Sequence, residues 1–174
     1  CARRGTVLIA NSLGSGVLES GALLGYLPRL SEQLLGEPLK LPSVATWWLG
    51  EPAAFDDAWK RLDKVLIKPL ERSSKEPAVF GADLDADART LLKARVAARP
   101  QRYVAQEWVH VSQAPVLERG GVGGRAALGA RTVGLRVFAV ATPDGYRLMP
   151  GGLTRVAGDE EPRVVAMQRG GRSK

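Results

Sequence analysis

Helical spacing of apolar residues dominates the chain up to residue 98, and strand-like runs dominate after residue 103. Thr6-Val-Leu-Ile-Ala10 is short and β-branched and predicts a buried strand, followed by a turn-rich loop, Asn11-Ser-Leu-Gly-Ser-Gly16. Residues 18–35 place Leu18, Ala22, Leu23, Leu27, Leu30 and Leu34 on one helical face, with Pro28 expected to kink or split the helix and Gly36 to stop it. Residues 38–50, broken by Pro38 and Pro42, read as irregular. Pro52 suits the first turn of a helix ending near Leu62, whose apolar face is Ala54, Phe55, Ala58, Trp59 and Leu62.

Lys64-Val-Leu-Ile-Lys-Pro69 predicts a strand and the polar stretch 70–81 a loop. Residues 85–98 give the clearest helix, acidic at its start and carrying Arg95 and Arg99 at its end, as the helix dipole favours. Strands are expected at 103–111, 114–117, 132–142, 146–149, 153–157 and 163–168. The glycine-rich stretch 120–131 reads as a mobile loop, and Pro143-Asp-Gly145 as a hairpin turn. Helices early and strands late argue for an α+β fold rather than an alternating one, and no internal repeat interrupts this order.

Composition narrows the picture only slightly. At 174 residues the chain can hold one well-cored domain or two small subdomains. No apolar run approaches the ~20 residues that span a bilayer, so no membrane partner is expected. One cysteine, Cys1, precludes an internal disulfide, which fits a reducing cytoplasm, and the single histidine, His110, cannot build a metal site by itself. Neither Cys1 nor the Cys1–His110 combination is read as functional. The net charge of +7 is dispersed, with no block of five or six consecutive Lys or Arg, so it is weak evidence for any partner.

Four short stretches could carry chemistry. Lys68 ends an apolar strand, where an unpaired ammonium is costly, so it calls for a phosphate or for a carboxylate such as Glu107. The loop after it, with Ser73, Ser74 and Lys75, lacks the phosphate-loop pattern of Walker NTPases. Tyr103-Val-Ala-Gln-Glu-Trp-Val109 could offer backbone groups to an adenine edge and a carboxylate to a ribose, or be an amphipathic strand with a wet face. Arg136 interrupts an apolar run and Arg155 follows paired glycines, and each guanidinium would accept a carboxylate or phosphate in its fork. Trp47-Trp48 could stack on a base, although plugging a core is the commoner use of such a pair.

Taken in order, Asn11-Ser-Leu-Gly-Ser-Gly-Val-Leu-Glu-Ser20, Leu41-Pro-Ser-Val-Ala-Thr-Trp-Trp48, Leu66-Ile-Lys-Pro69, Val79-Phe-Gly-Ala-Asp-Leu84, Tyr103-Val-Ala-Gln-Glu107, Leu135-Arg-Val-Phe-Ala-Val140, Met149-Pro-Gly-Gly-Leu-Thr-Arg-Val156 and Met167-Gln-Arg-Gly-Gly171 resemble the circularly permuted ATP-grasp family of carboxylate–amine ligases. The resemblance implies two small α+β subdomains with mixed or antiparallel sheets that grip ATP. Residues 1–63 would be the amino-terminal segment of the permuted module and 64–174 the nucleotide-binding part. By the same resemblance Lys68 contacts phosphates, the loop with Ser73, Ser74 and Lys75 covers them, and Gln106, Glu107, Trp108 and Val109 form the adenine hinge. That loop departs from the glycine-rich form usual in the family. Arg136 and Arg155 would be catalytic contacts to phosphate or substrate.

ATP and Mg²⁺ are the implied cofactors, and an unidentified carboxylate and amine the implied substrates. The family's metal-binding E-x-N arrangement is missing here, so the metal ligands are expected upstream, in a longer protein of which this would be a fragment, inactive alone. Such a fragment would expose apolar surface and could form a homodimer. Two other readings stay open: a basic nucleic-acid-binding domain, against which the dispersed charge weighs, and a noncatalytic scaffold with the ATP-grasp fold.

Overall fold

The computed structural model describes residues 4–7, 9, 14–71, 76–118, 126–158, 163, 165 and 172–173. They fall into two compact units, Cys1–Val109 and His110–Lys174.

In the first unit a short 3-10 turn, Ser15–Glu19, precedes helix α1, Leu23–Leu35. The expected helix therefore starts later than residue 18. It also runs on through Pro28, which removes one backbone hydrogen bond without ending the helix. Gly36 closes it as expected, in the left-handed conformation and with its N–H donated to Glu32 O. Strand β1, Thr46–Trp48, follows within the stretch expected to be irregular. Helix α2 spans Pro52–Lys60 with proline in its first turn, and β2 spans Val65–Pro69. Strand β3, Val79–Phe80, lies inside the expected loop. Helix α3, Ala86–Ala98, is capped by Asp85, whose carboxylate accepts from the Ala88 N–H at 2.8 Å. Strand β4 is Tyr103–Glu107, shorter than expected at its far end. The expected strand at the amino terminus is not formed by Thr6, Val7 or Ile9, the members of that stretch that are described.

These strands form an antiparallel sheet in the order β1-β4-β2-β3. Alternation sends Val65, Ile67, Tyr103 and Ala105 to one face, where they meet Leu62, Ala58, Leu92 and Val96 of the α2 and α3 region in a buried core. The helices bury their apolar stripes there, which is what holds this unit together. On the opposite face the start of α1 crosses the sheet. A Cβ on Gly25 would collide with the Thr46 carbonyl oxygen, so only glycine permits this approach.

The second unit contains strands only, among its described residues. Strands β5 (Gln113–Glu118), β6 (Ala127–Arg136), β9 (Leu153–Val156) and β10 (Arg172–Ser173) make an antiparallel sheet in the order β10-β9-β6-β5. Strands β7 (Ala139–Thr142) and β8 (Gly145–Leu148) form a hairpin around the expected turn, where Gly145 takes a φ of 111°. Strand β6 begins within the stretch read as a mobile loop, and residues 132–142 are two strands rather than one. The strand expected at 163–168 lies largely outside the described residues, and Arg163 and Val165 are not in a strand.

The α+β expectation holds, with the described helices all in the first unit and every strand pairing antiparallel. The compact units divide after Val109. Strand β1 pairs with β4, which in turn pairs with β2, so both sides of the 63/64 position share one sheet and one core. No described helix is long and apolar enough to cross a membrane.

Candidate functional site

Register decides which predicted residues meet. Leu66 and Lys68 of β2 pair with Gln106 and Val104 of β4, and Thr46 of β1 pairs with Gln106. These positions share the face opposite the α2/α3 core. A polar ladder crosses three strands there. Lys68 Nζ donates to Gln106 Oε1 at 2.9 Å, Gln106 Nε2 donates to Thr46 Oγ1 at 3.0 Å, and Thr46 Oγ1 donates to the Val44 carbonyl at 2.9 Å. Thr46 is buried and Lys68 half-buried, and this burial pushes the Lys68 ammonium below the ordinary lysine value. Glu107 is not its partner. One residue further along β4, Glu107 pairs with Val65 and points to the other face, where its side chain is exposed. Among the described residues no carboxylate is paired with Lys68.

Apolar side chains adjoin the ladder, Phe80 buried and Leu66 and Trp108 half-buried. Phe80 pairs with Leu66 and so shares this face, and Trp108 packs edge-on against Phe80 with ring centroids 5.6 Å apart. The Glu107 N–H donates to Ala45 O and the Trp108 N–H to Lys64 O, both at 2.9 Å. Those two amides are therefore committed to the sheet, because β4 has a neighbour on each side. Val109 follows, half-exposed, beyond the paired stretch. Of the four expected hinge residues, Gln106 alone has its side chain in the ladder. Thr46 is the member the sequence did not single out; it lies in a three-residue strand after two prolines, and only its pairing with Gln106 reveals it. Ser73, Ser74 and Lys75 lie outside the described residues, as do Cys1 and Asn11.

In the second unit, Gly134 and Arg136 of β6 face the same side as Arg155 and Leu153 of β9. Arg136 and Arg155 line a shallow cleft of about 420 Å³ with Gly134 and Val165. Although Arg136 interrupts an apolar run, it is exposed at the end of its strand, with Leu135, Val137, Phe138 and Val140 exposed around it. Arg155 is half-buried, and its Nε is shielded from water without a hydrogen-bond partner among the described residues.

The tryptophan pair serves structure. Trp47 packs against the core beneath the Arg61 guanidinium, 3.8 Å from its ring centre, and Trp48 Nε1 donates to Gln101 O at 3.0 Å. No group of three His, Cys, Asp or Glu able to hold a metal occurs among the described residues. The described residues therefore do not fit a Mg²⁺ centre of their own.

The amino-acid sequence matches a known family. Residues 1–157 match the family described as circularly permuted ATP-grasp type 2. The chain is 37% identical over 150 residues to the uncharacterized protein Rv2567 of Mycobacterium tuberculosis, covering 86% of this chain and 16% of that protein. It is 31% identical over 175 residues to Rv2411c of the same organism, covering 99% of this chain and 30% of the relative. A protein of Frankia casuarinae named "Putative glutamate--cysteine ligase 2-2" is 32% identical over 163 residues, with 94% of this chain and 18% of that protein aligned. The chain thus spans less than a third of the length of these relatives. With the match running through both units, the chain belongs to the circularly permuted ATP-grasp family.

Proposed function

We propose that this chain is part of an ATP-dependent carboxylate–amine ligase and supplies much of its nucleotide site. The observation that carries the reading is Lys68: a half-buried ammonium whose side-chain partner is the neutral amide of Gln106. A desolvated cation with no counter-charge gains most from an arriving phosphate, because the attraction acts in a poorly screened setting. The half-buried side chains of Leu66 and Trp108 beside it, backed by the buried Phe80, suit a nucleobase, and Val109, past the paired stretch, is where a base edge would find backbone groups. Ser73, Ser74 and Lys75 would cover the phosphates, and Arg136 and Arg155 would contact phosphate or substrate.

In the proposed reaction the γ-phosphoryl group passes from ATP to a carboxylate, giving an acyl phosphate and ADP. An amine then attacks the acyl carbon and inorganic phosphate leaves as the amide bond forms. Lysine and arginine would stabilise the charge of the transferring group by position rather than by covalent chemistry. Mg²⁺ is the metal such chemistry takes, and its ligands would come from outside the described residues. The ligase named among the relatives supports the reaction class.

Calorimetry of ATP binding to the wild-type chain and to Lys68→Ala, at two salt concentrations, tests the site. We expect affinity to fall at least about tenfold in the variant, roughly 1.4 kcal/mol. Equal binding by both proteins would remove Lys68 from the site. A well-folded wild-type chain that binds no ATP would remove the site from this chain.

A further inference from the structure

A cleft of the first unit lies on the other face of its sheet, away from the Lys68 ladder. It measures about 280 Å³ and is lined by Pro69, Glu71, Glu76, Arg95, Arg99, Arg102 and Tyr103, with Ala98 at its wall. Helix α3 builds one side: residues 95, 98 and 99 fall one turn apart, next to the buried positions 92 and 96. Tyr103, on the core face of β4, has a buried ring, and its hydroxyl reaches the cleft.

The charges in the cleft do not cancel. Arg102 pairs with Glu71 at 2.9 Å, and the Tyr103 hydroxyl donates to Glu76 Oε2 at 3.0 Å. Both carboxylates therefore have partners inside the protein. Arg95 and Arg99 have no carboxylate partner among the described residues. Like charges four residues apart repel, and the carbonyl end of α3 offsets that only in part. A concave wall concentrates the remaining positive field.

We propose that this cleft is a second anion site, binding the phosphate group of a small phosphorylated molecule between Arg95 and Arg99, with the Tyr103 hydroxyl beside it. Glu76 keeps its charge, so the cleft is left with a modest positive excess, and its two exposed guanidinium groups offer more N–H donors than one carboxylate fills, which favours the three oxygens of a phosphate group. Burial and the bond to Glu76 raise the tyrosine's proton affinity above normal, despite the opposing fields of Arg95 and Arg102, so the hydroxyl stays protonated at neutral pH. The two guanidinium groups lie on the face of the sheet opposite Lys68, while Glu71 and Glu76 of the cleft flank the loop that carries Ser73, Ser74 and Lys75.

Inorganic phosphate is the probe, titrated at constant ionic strength and followed by calorimetry and phosphorus NMR. The wild-type chain should bind it saturably. Arg95→Gln/Arg99→Gln should weaken that binding at least tenfold with an unchanged circular-dichroism spectrum, while Lys93→Gln, an exposed change on the same helix outside the cleft, keeps it. The single variant Arg99→Gln should show an intermediate loss. A linear, unsaturable response in the wild type would overturn the proposal. So would binding that Lys68→Ala abolishes and the double arginine variant retains, since it would assign the anion to the opposite face.

Discussion

The two units manage apolar surface in opposite ways. The first lays α2 and α3 on one face of its sheet and the start of α1 across the other, so Val65, Ile67, Ala105 and Tyr103 are sealed against Leu62, Leu92 and Val96. The second has strands alone among its described residues, and Leu128, Leu135, Val140, Tyr146, Leu148 and Met149 remain largely exposed. Its hairpin, β7–β8, is a separate two-stranded sheet, an arrangement that is marginal in water without cover. A sheet cannot bury its face against itself at this size. The stability of the first unit is thus internal, whereas the second shows little core of its own.

The largest expected effect should fall on the sealed side. Ile67 is 2% exposed at the centre of the first sheet, and Ile67→Ala should cost about 2–5 kcal/mol. All four tryptophans lie in the first unit, so urea unfolding followed by their fluorescence reads this unit alone. A loss below 1 kcal/mol would break the contrast by showing that the core is not where the stability resides. Asp85→Ala removes the carboxylate that caps α3 and should cost about 1 kcal/mol in the same measurement. In the second unit Tyr146, 81% exposed, can be replaced by serine with a change within about 0.5 kcal/mol. A loss of 2 kcal/mol or more in calorimetric unfolding would show that the hairpin is covered in solution and sharpen the comparison into a search for what covers it.

A pH prediction distinguishes Lys68 from the exposed lysines. Its folded-state pKa lies below the ordinary 10.5, through burial. Between the lowered value and 10.5 the unfolded chain holds the proton more tightly than the folded one, so stability contributed at this position rises with pH across that window. The desolvation penalty is felt in full below it. Against Lys68→Met, the wild type should therefore gain relative stability as pH climbs toward 10.5. A pH-independent difference between the two proteins would mean that the ammonium is well solvated.

Much of the first unit was legible because its signals are local. Pro52 in a first turn, the acidic start and basic end of α3 and Gly36 as a stop each act within a few residues of themselves, and periodicity marked the buried face of α2. Strand β1 escaped notice because three residues after two prolines have no pattern of their own, and it exists only through pairing with β4. The limits of β4 and the break between β6 and β7 were likewise beyond local reading, since a strand ends where its partners end.

For the site, sequence alone determined that a lysine closes an apolar strand, that arginines 136 and 155 sit in strand-like runs, and, through an ordered set of motifs, which family the chain belongs to. Tertiary structure decided whom these residues meet. Register put Gln106 and Thr46 beside Lys68 and sent Glu107 to the other face, a difference of one position along β4. It also left Arg136 in water and shielded the Nε of Arg155. The reason is physical: a strand's periodicity names two faces, and only the partners that cover each face determine which one is dry.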